Sequence, residues 1–386
     1  MADGDGLVIV GGGLASARAI KSYREAGGDA KITLFSRDNV VPYHRPPLSK
    51  RYLRGETEAT DAYVEPEDFY REHDVDLLFE TNVTALRPNE RTLLLGDGGS
   101  RGYEQLLIAT GAWPRRLEVD GSELEGVFTL RTLDDSTRIR NAAKDARHAV
   151  VVGAGFIGME TAASLSTLGL EVALVHRGKG LFEILRARQA EQFFVELYGR
   201  KGVELVLADE VQEFGGRSRL DSVVTKRGQT FQAELAIVGI GVDPVVDWLD
   251  GSGLEIDNGV VVNERYETSA LGVWAVGDVA RFRDPVFGRV RRIEHWSNSN
   301  YQGSDVGKLL AGADGGYDVV STFFSEVFGV TVKLFGDVES FDDVVFRGSL
   351  EEGDAIGFYL DDGRLVACLL TGQEEETEDR LKELLR

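Results

Sequence analysis

Short apolar runs alternate with longer mixed stretches through about residue 320 of this chain. Leu7 to Val10, Lys31 to Phe35, Ala149 to Val152 and Glu171 to Val175 are too short and too continuous for amphipathic helices and read as buried strands. Between the members of each pair lies a helix-like segment, so the pattern predicts strand–helix–strand layers of the α/β class. Beyond about Gly316 the texture changes. Thr331 to Phe335, Asp343 to Phe346, Ala355 to Leu360 and Leu365 to Leu370 read as strands, with a turn at Asp361-Asp362-Gly363. The acidic stretch Glu374 to Asp379 opens a last helix ending near Lys382 and Arg386, an order that suits the helix dipole. The C-terminal part therefore reads as a small α+β domain.

Two glycine loops punctuate the pattern. Gly11-Gly12-Gly13-Leu14-Ala15-Ser16 follows the first strand, and Gly153-Ala154-Gly155-Phe156-Ile157-Gly158 follows the third. Each leaves a strand, opens a helix and is followed by another strand, which is the setting of a Rossmann βαβ unit. Glycines there permit a tight turn and let backbone N–H groups approach a pyrophosphate at the helix N-terminus. Two such units imply two dinucleotides on one chain, and hence electrons passed between them. No other internal repeat is visible.

Length and composition narrow this further. The 386 residues suffice for two or three domains, and 42% hydrophobic with 28% charged residues is ordinary for a globular protein. No apolar run approaches the roughly 18 to 20 residues of a membrane span. The start, Met1-Ala2-Asp3-Gly4-Asp5, has neither basic segment nor apolar core, so a cytoplasmic address is expected. A net charge of −22 argues against nucleic acid or an anionic membrane as partner, although Arg281, Arg283, Arg289, Arg291 and Arg292 form a local basic cluster. The single cysteine, Cys368, reads as a core residue and excludes a dithiol relay within the chain. Five scattered histidines show no metal-ligand spacing, and no metal site is expected.

Further motifs stand outside the βαβ units. Pro42-Tyr43-His44-Arg45-Pro46-Pro47-Leu48-Ser49-Lys50 leads into an expected short helix, Leu48 to Leu53. Ala109-Thr110-Gly111, Trp274-Ala275-Val276-Gly277-Asp278 and Glu294-His295-Trp296 follow. With these residues the chain resembles the FAD-dependent, NAD(P)H-oxidising ferredoxin reductases of bacterial oxygenase systems, a fold shared with apoptosis-inducing factor. The resemblance covers nearly the whole chain and rests most on the Tyr43-to-Lys50 stretch and on Gly277-Asp278. It implies an FAD domain in two pieces (1–114 and 245–318), an NAD(P)H domain (115–244) and a C-terminal domain (319–386).

It also implies roles for single residues. Gly11, Gly13, Leu14 and Ala15 would hold the FAD pyrophosphate, with Ser16 in place of the third glycine. Arg45, Val83, Ala109, Thr110, Gly111, Arg131, Gly277, Asp278, Glu294, His295 and Trp296 complete the flavin set. Asp278 would accept from a ribityl hydroxyl, its alternative being a helix N-cap. Gly153, Gly155, Phe156, Ile157, His176, Arg177, Gly239 and Gly241 would hold NAD(P)H. Lys50 would sit by the flavin N5 edge, paired with Glu160, where an ammonium favours the anionic reduced flavin. The alternative is a surface lysine and an unrelated glutamate. Trp296 would lie beside the isoalloxazine, and Phe324 either there or in the core.

Two strand ends depart from the βαβ pattern, which places an acid on the adenosine ribose. Ser36-Arg37-Asp38 follows the first unit, leaving Arg37 on adenine or phosphate, or Asp38 moved in. His176-Arg177-Gly178-Lys179 follows the second, where Arg177 and Lys179 could face a 2′-phosphate, so NADPH is expected to serve at least as well as NADH. The chain is thus expected to move hydride from NAD(P)H to FAD and single electrons to a ferredoxin-like iron–sulfur protein, as monomer or homodimer. The alternatives are a slow, apoptosis-inducing-factor-like NAD(P)H sensor that associates on coenzyme binding, and a direct oxidase or small-molecule reductase.

Overall fold

The computed structural model describes residues 5–386. The first glycine loop joins strand β1 (Asp5–Val10) to helix α1 (Leu14–Glu25), which returns to β2 (Ile32–Phe35). The second joins β3 (His148–Val152) to α2 (Phe156–Thr167) and β4 (Glu171–His176). Contacts divide the chain into two compact units.

The first unit holds the chain up to His44, Thr60–Trp113 and Asp243–Ser321. Its parallel sheet runs Val75–Leu78, β2, β1, Ser100–Ile108, with Val273–Ala275 added beside Ser100–Ile108. The strands are continuous apolar runs because both sheet faces are covered. Helix α3 (Trp296–Leu310) packs on α1 at backbone distance. A Cβ at Gly303 would lie 2.4 Å from the Ala15 carbonyl oxygen, and one at Gly307 2.3 Å from that of Ala19.

The second unit holds Arg45–Ala59, Pro114–Val242 and Thr322–Arg386. Its parallel sheet runs Glu204–Leu207, β4, β3, Leu235–Val238, Val127–Phe128. A five-stranded antiparallel sheet follows in the C-terminal part, in the order Thr322–Val327, Val330–Gly336, Arg364–Thr371, Asp354–Asp361, Asp343–Ser349, with a last helix at Glu375–Leu384. Its first strand was not expected from sequence, because it alternates buried and exposed positions through polar residues rather than forming an apolar run. Among the described residues no helix is long and apolar enough to cross a membrane.

Segment 45–59, which the expected division placed with the first glycine loop, belongs to the second unit. Its backbone is bonded there: Ser136 Oγ donates to the Leu48 carbonyl at 2.7 Å and Ser164 Oγ to that of Ser49 at 2.6 Å. The helix expected at Leu48 to Leu53 is instead a 3₁₀ turn at Pro46–Ser49. The Lys50 N–H bonds the Pro47 carbonyl three residues back, and Lys50 leaves helical space at φ −127°, ψ −112°.

Candidate active site

In the first unit the β1 chain turns at Gly11, where φ is +117° and a Cβ would lie 2.2 Å from the Ala109 carbonyl oxygen. Only glycine fits. Ser16, in the third fingerprint position, donates its hydroxyl to the Gly11 carbonyl and is buried. The corresponding Gly158 of the second unit tolerates no such group, since its Cβ would meet the Gly153 oxygen at 1.9 Å. Neither Gly13 nor Gly155, the residues capping α1 and α2, provides a side-chain cap, so no side chain of the capping residue takes the leading N–H groups.

Gly277 and Asp278 lie beside the N-terminal end of α1, where a Cβ at Gly277 would be 3.4 Å from that of Ala15. Helix α3 holds them: Gln302 Oε1 accepts from the Gly277 N–H at 2.7 Å, and Ser299 Oγ donates to Asp278 Oδ1 at 3.0 Å. Arg292 donates to the Asp278 carbonyl at 3.0 Å and pairs with Glu294 at 2.6 Å. His295, capping α3, is pushed down to about 4 by burial, against the opposing charge of Asp278. Trp296 Nε1 donates to His44 Nδ1 at 3.0 Å. Burial, with the nearby Arg18 charge, also lowers the His44 pKa.

Thr110 Oγ1 donates to the Val245 carbonyl at 2.9 Å, Gly111 accepts from the Val245 N–H, and Val83 opens the strand Val83–Arg87. At the end of β2 the two alternatives separate. The Asp38 carboxylate accepts from Tyr43 Oη at 2.8 Å, whereas the exposed Arg37 lies with its guanidinium 5.4 Å from the Trp113 ring centre. Arg37 is the more exposed of the two.

In the second unit Lys50 and Glu160 meet at 2.5 Å, both buried. The Ser49 hydroxyl donates to the same carboxylate oxygen, and Ser325 Oγ donates to the other at 2.8 Å. Neither serine was anticipated from sequence. Their contributions depend on strand Thr322–Val327 and on the 3₁₀ turn, which bring positions 111 and 165 residues away in the chain to Glu160. Arg45 and Arg131 belong to this unit as well, with the Arg131 N–H bonded to Asp135 at 3.1 Å. Ile157 is exposed, while the Phe156 ring packs on Phe323 at 4.6 Å. Phe323 is the core residue of that strand. Phe324 points the other way and is exposed, which removes the core reading for it.

Gly239 lies over the second loop, since a Cβ at Gly153 would be 2.3 Å from its carbonyl oxygen. Gly241 has φ +107°, and its carbonyl accepts from the Arg115 N–H at 2.9 Å. At the end of β4, His176 Nδ1 accepts from the Ala154 N–H at 3.3 Å. Its Nε2 faces Glu183 at 3.6 Å. No sequence spacing pointed to Glu183. The residue before it, Phe182, adopts φ +52°.

Of the arginine cluster, Arg281 pairs with Asp257 at 3.0 Å, Arg291 with buried Asp284, and Arg292 with Glu294. Three of the five are thus committed inside the first unit. Cys368 is buried, and burial pushes its thiol up to about 12.

Two glycine-turned βαβ units, an aspartate held at the head of the first helix and a buried lysine–glutamate pair are the features of a flavin-linked oxidoreductase of pyridine nucleotides. The chain belongs to the family described as pyridine nucleotide-disulphide oxidoreductase, which matches residues 5–303. Enzymes of this group bind FAD and use NAD(P)H. The chain is 33% identical over 369 residues to putidaredoxin reductase of Pseudomonas putida, covering 94% of this chain and 87% of that protein. It is 33% identical over 364 residues to the ferredoxin–NAD(+) reductase subunit of the benzene 1,2-dioxygenase system of the same organism, covering 94% and 88%. Its structure matches that of a covalent putidaredoxin reductase–putidaredoxin complex with TM-score 0.94 at 32% identity, over 99% of this chain and 93% of that one.

Proposed function

We propose that the protein takes hydride from NAD(P)H onto FAD and delivers single electrons to a small ferredoxin-like iron–sulfur protein. Bound FAD supplies the chemistry of accepting two electrons together and releasing them singly. The observation that carries this reading is the pair of uncapped, glycine-turned helix N-termini, one in each unit, each shaped to hold a pyrophosphate. The first takes FAD and the second NAD(P)H.

In this reading the Gly11 turn and the head of α1 bind the FAD pyrophosphate, and Asp278, oriented by Ser299, accepts from the ribityl chain. Arg37, beside Trp113, serves the adenine end. Trp296, fixed by its bond to His44, walls the isoalloxazine. Gly153, Gly155 and the head of α2 bind the nicotinamide coenzyme. Lys50, oriented by Glu160, would supply the positive charge that favours the reduced flavin. Separate FAD, NAD(P)H and C-terminal domains, with segment 45–59 counted in the second compact unit, and a cytoplasmic address belong to the same reading.

The test is direct. The purified protein is expected to be yellow with one FAD, to bleach anaerobically on coenzyme, and to turn over rapidly only when a ferredoxin is added. Asp278→Ala is expected to lose FAD on gel filtration. A protein that reconstitutes with no flavin would sink the reading. Slow bleaching with coenzyme-dependent dimerisation would favour the sensor, and fast turnover with oxygen alone the oxidase.

A further inference from the structure

The end of β4 is where a βαβ unit meets the adenosine ribose of its dinucleotide, by an acid that accepts from the 2′-hydroxyl. This strand ends in His176, which carries no acid. The structure nevertheless puts a carboxylate there. Glu183, seven positions on, folds back until its Oε2 lies 3.6 Å from His176 Nε2. Its Oε1 accepts from the backbone N–H groups of Lys179 at 2.8 Å and Gly180 at 3.0 Å. The side chain is 46% exposed, so the carboxylate remains open to a ligand.

We propose that Glu183 acts as the ribose-reading acid of the coenzyme site, selecting NADH and rejecting the 2′-phosphate of NADPH. The assignment rests on the second βαβ unit binding the nicotinamide coenzyme. Three observations carry it.

The first is the conformation that delivers the residue. Phe182 sits at φ +52°, a costly backbone for a bulky side chain. It is fully buried, its ring 4.7 Å from that of Phe194 and 5.8 Å from that of Phe156. Packing holds a strained turn that has Glu183 as its next residue.

The second is the use of the loop's donors. Successive backbone N–H groups in such a loop form an anion-binding concavity. Those of Lys179 and Gly180 already serve Glu183 Oε1 and are closed to a phosphate.

The third is the charge at the strand end. His176 Nδ1 accepts a hydrogen bond, which leaves the ring proton of the neutral imidazole on Nε2, facing Glu183. Burial lowers the His176 pKa, against the opposing influence of Glu183, which disfavours a cationic ring at this strand end. A Cβ at Gly180 would lie 2.9 Å from Glu191 Oε2, so a second carboxylate flanks the same loop. A 2′-hydroxyl donates to this surface, whereas a 2′-phosphate is repelled by it. The exposed Arg177 and Lys179, from which the sequence suggested NADPH use, lie on the same loop. Against their attraction stand the carboxylates and the consumed N–H groups.

The experiment compares wild type with Glu183→Gln and Glu183→Ala in the FAD-loaded protein. Anaerobic flavin bleaching is followed with NADH and with NADPH. Binding of the non-reacting probes AMP and adenosine 2′,5′-bisphosphate is measured by calorimetry. Wild type is expected to favour NADH by at least about tenfold in kcat/KM, and AMP over the bisphosphate. Either variant is expected to shrink both preferences about tenfold, through KM rather than kcat. Wild type using NADPH as well as NADH would overturn the assignment. So would variants that keep the wild-type ratios. If no coenzyme bleaches the flavin of wild type at all, the oxidoreductase reading itself falls instead.

Discussion

Lys50 and Glu160 show how far a single residue's role depends on its neighbours. A charged pair this buried gains little over an apolar pair of the same shape, but leaving one partner alone costs about 3 to 5 kcal/mol. Glu160 is held by Ser49 and Ser325 besides Lys50, so its orientation survives loss of the lysine. Lys50→Met is therefore expected to slow flavin reduction and to destabilise the fold by stranding the Glu160 carboxylate, a cost that its two serine donors lessen. Glu160→Ala is expected to destabilise it as well, by stranding the ammonium. The double variant should be less impaired than the sum, with an interaction of roughly 0.5 to 3 kcal/mol in a urea-unfolding cycle. Strict additivity would mean that the two side chains do not act together. The pair was suggested in the sequence only through the family resemblance, because 110 positions separate its members and no periodicity links them.

At the scale of elements, the apolar strands were legible because both faces of a parallel sheet are buried and leave a continuous run. Turn signals placed the last four strands of the C-terminal sheet within one to three residues of their observed ends. Thr322–Val327 was missed because one face of it is exposed, and the helix expected at Leu48 to Leu53 stops at Ser49, where serines of other elements take the Leu48 and Ser49 carbonyls. The contact between α1 and α3 was equally invisible, since Gly303 and Gly307 have no apolar signal of their own. Their value is the absence of a Cβ against the backbone of α1. Gly303→Val is thus expected to cost about 3 kcal/mol, the upper end for overpacking, because the obstacle is backbone and cannot rotate away. It should also weaken FAD retention, since α3 holds Gly277 and Asp278. A urea midpoint that does not move would show that the helices separate freely.

For the whole molecule, charge sets how an acceptor approaches. The local basic cluster is a candidate docking patch for an acidic partner, but Arg281, Arg291 and Arg292 are held in ion pairs, and Arg292 also supports Asp278. The field at a distance is then that of a chain with net charge −22. With an acidic ferredoxin, turnover is expected to rise with salt, because screening over about 8 Å at physiological strength removes a repulsion. Arg292→Gln is expected to lower FAD retention rather than raise the KM for the acceptor. Turnover that falls with salt, or a KM that rises while flavin stays bound, would restore the patch as a docking surface.

The sequence by itself determined what is local. The strand–glycine–helix order, the two glycine-turned helix starts and the α/β class follow from hydrophobic runs, glycines and their spacing, which act within a few residues. Only the tertiary structure decided which side chains meet. Tyr43 donates to Asp38 while Arg37 stays exposed beside Trp113, Phe323 rather than Phe324 enters the core, and Ser325 reaches Glu160. Glu183 makes the same point within one loop, replacing a missing acid through a left-handed Phe182 that only packing could hold. Such meetings are set by the shape of the filled interior, to which every distant segment contributes, so no short stretch of sequence contains them.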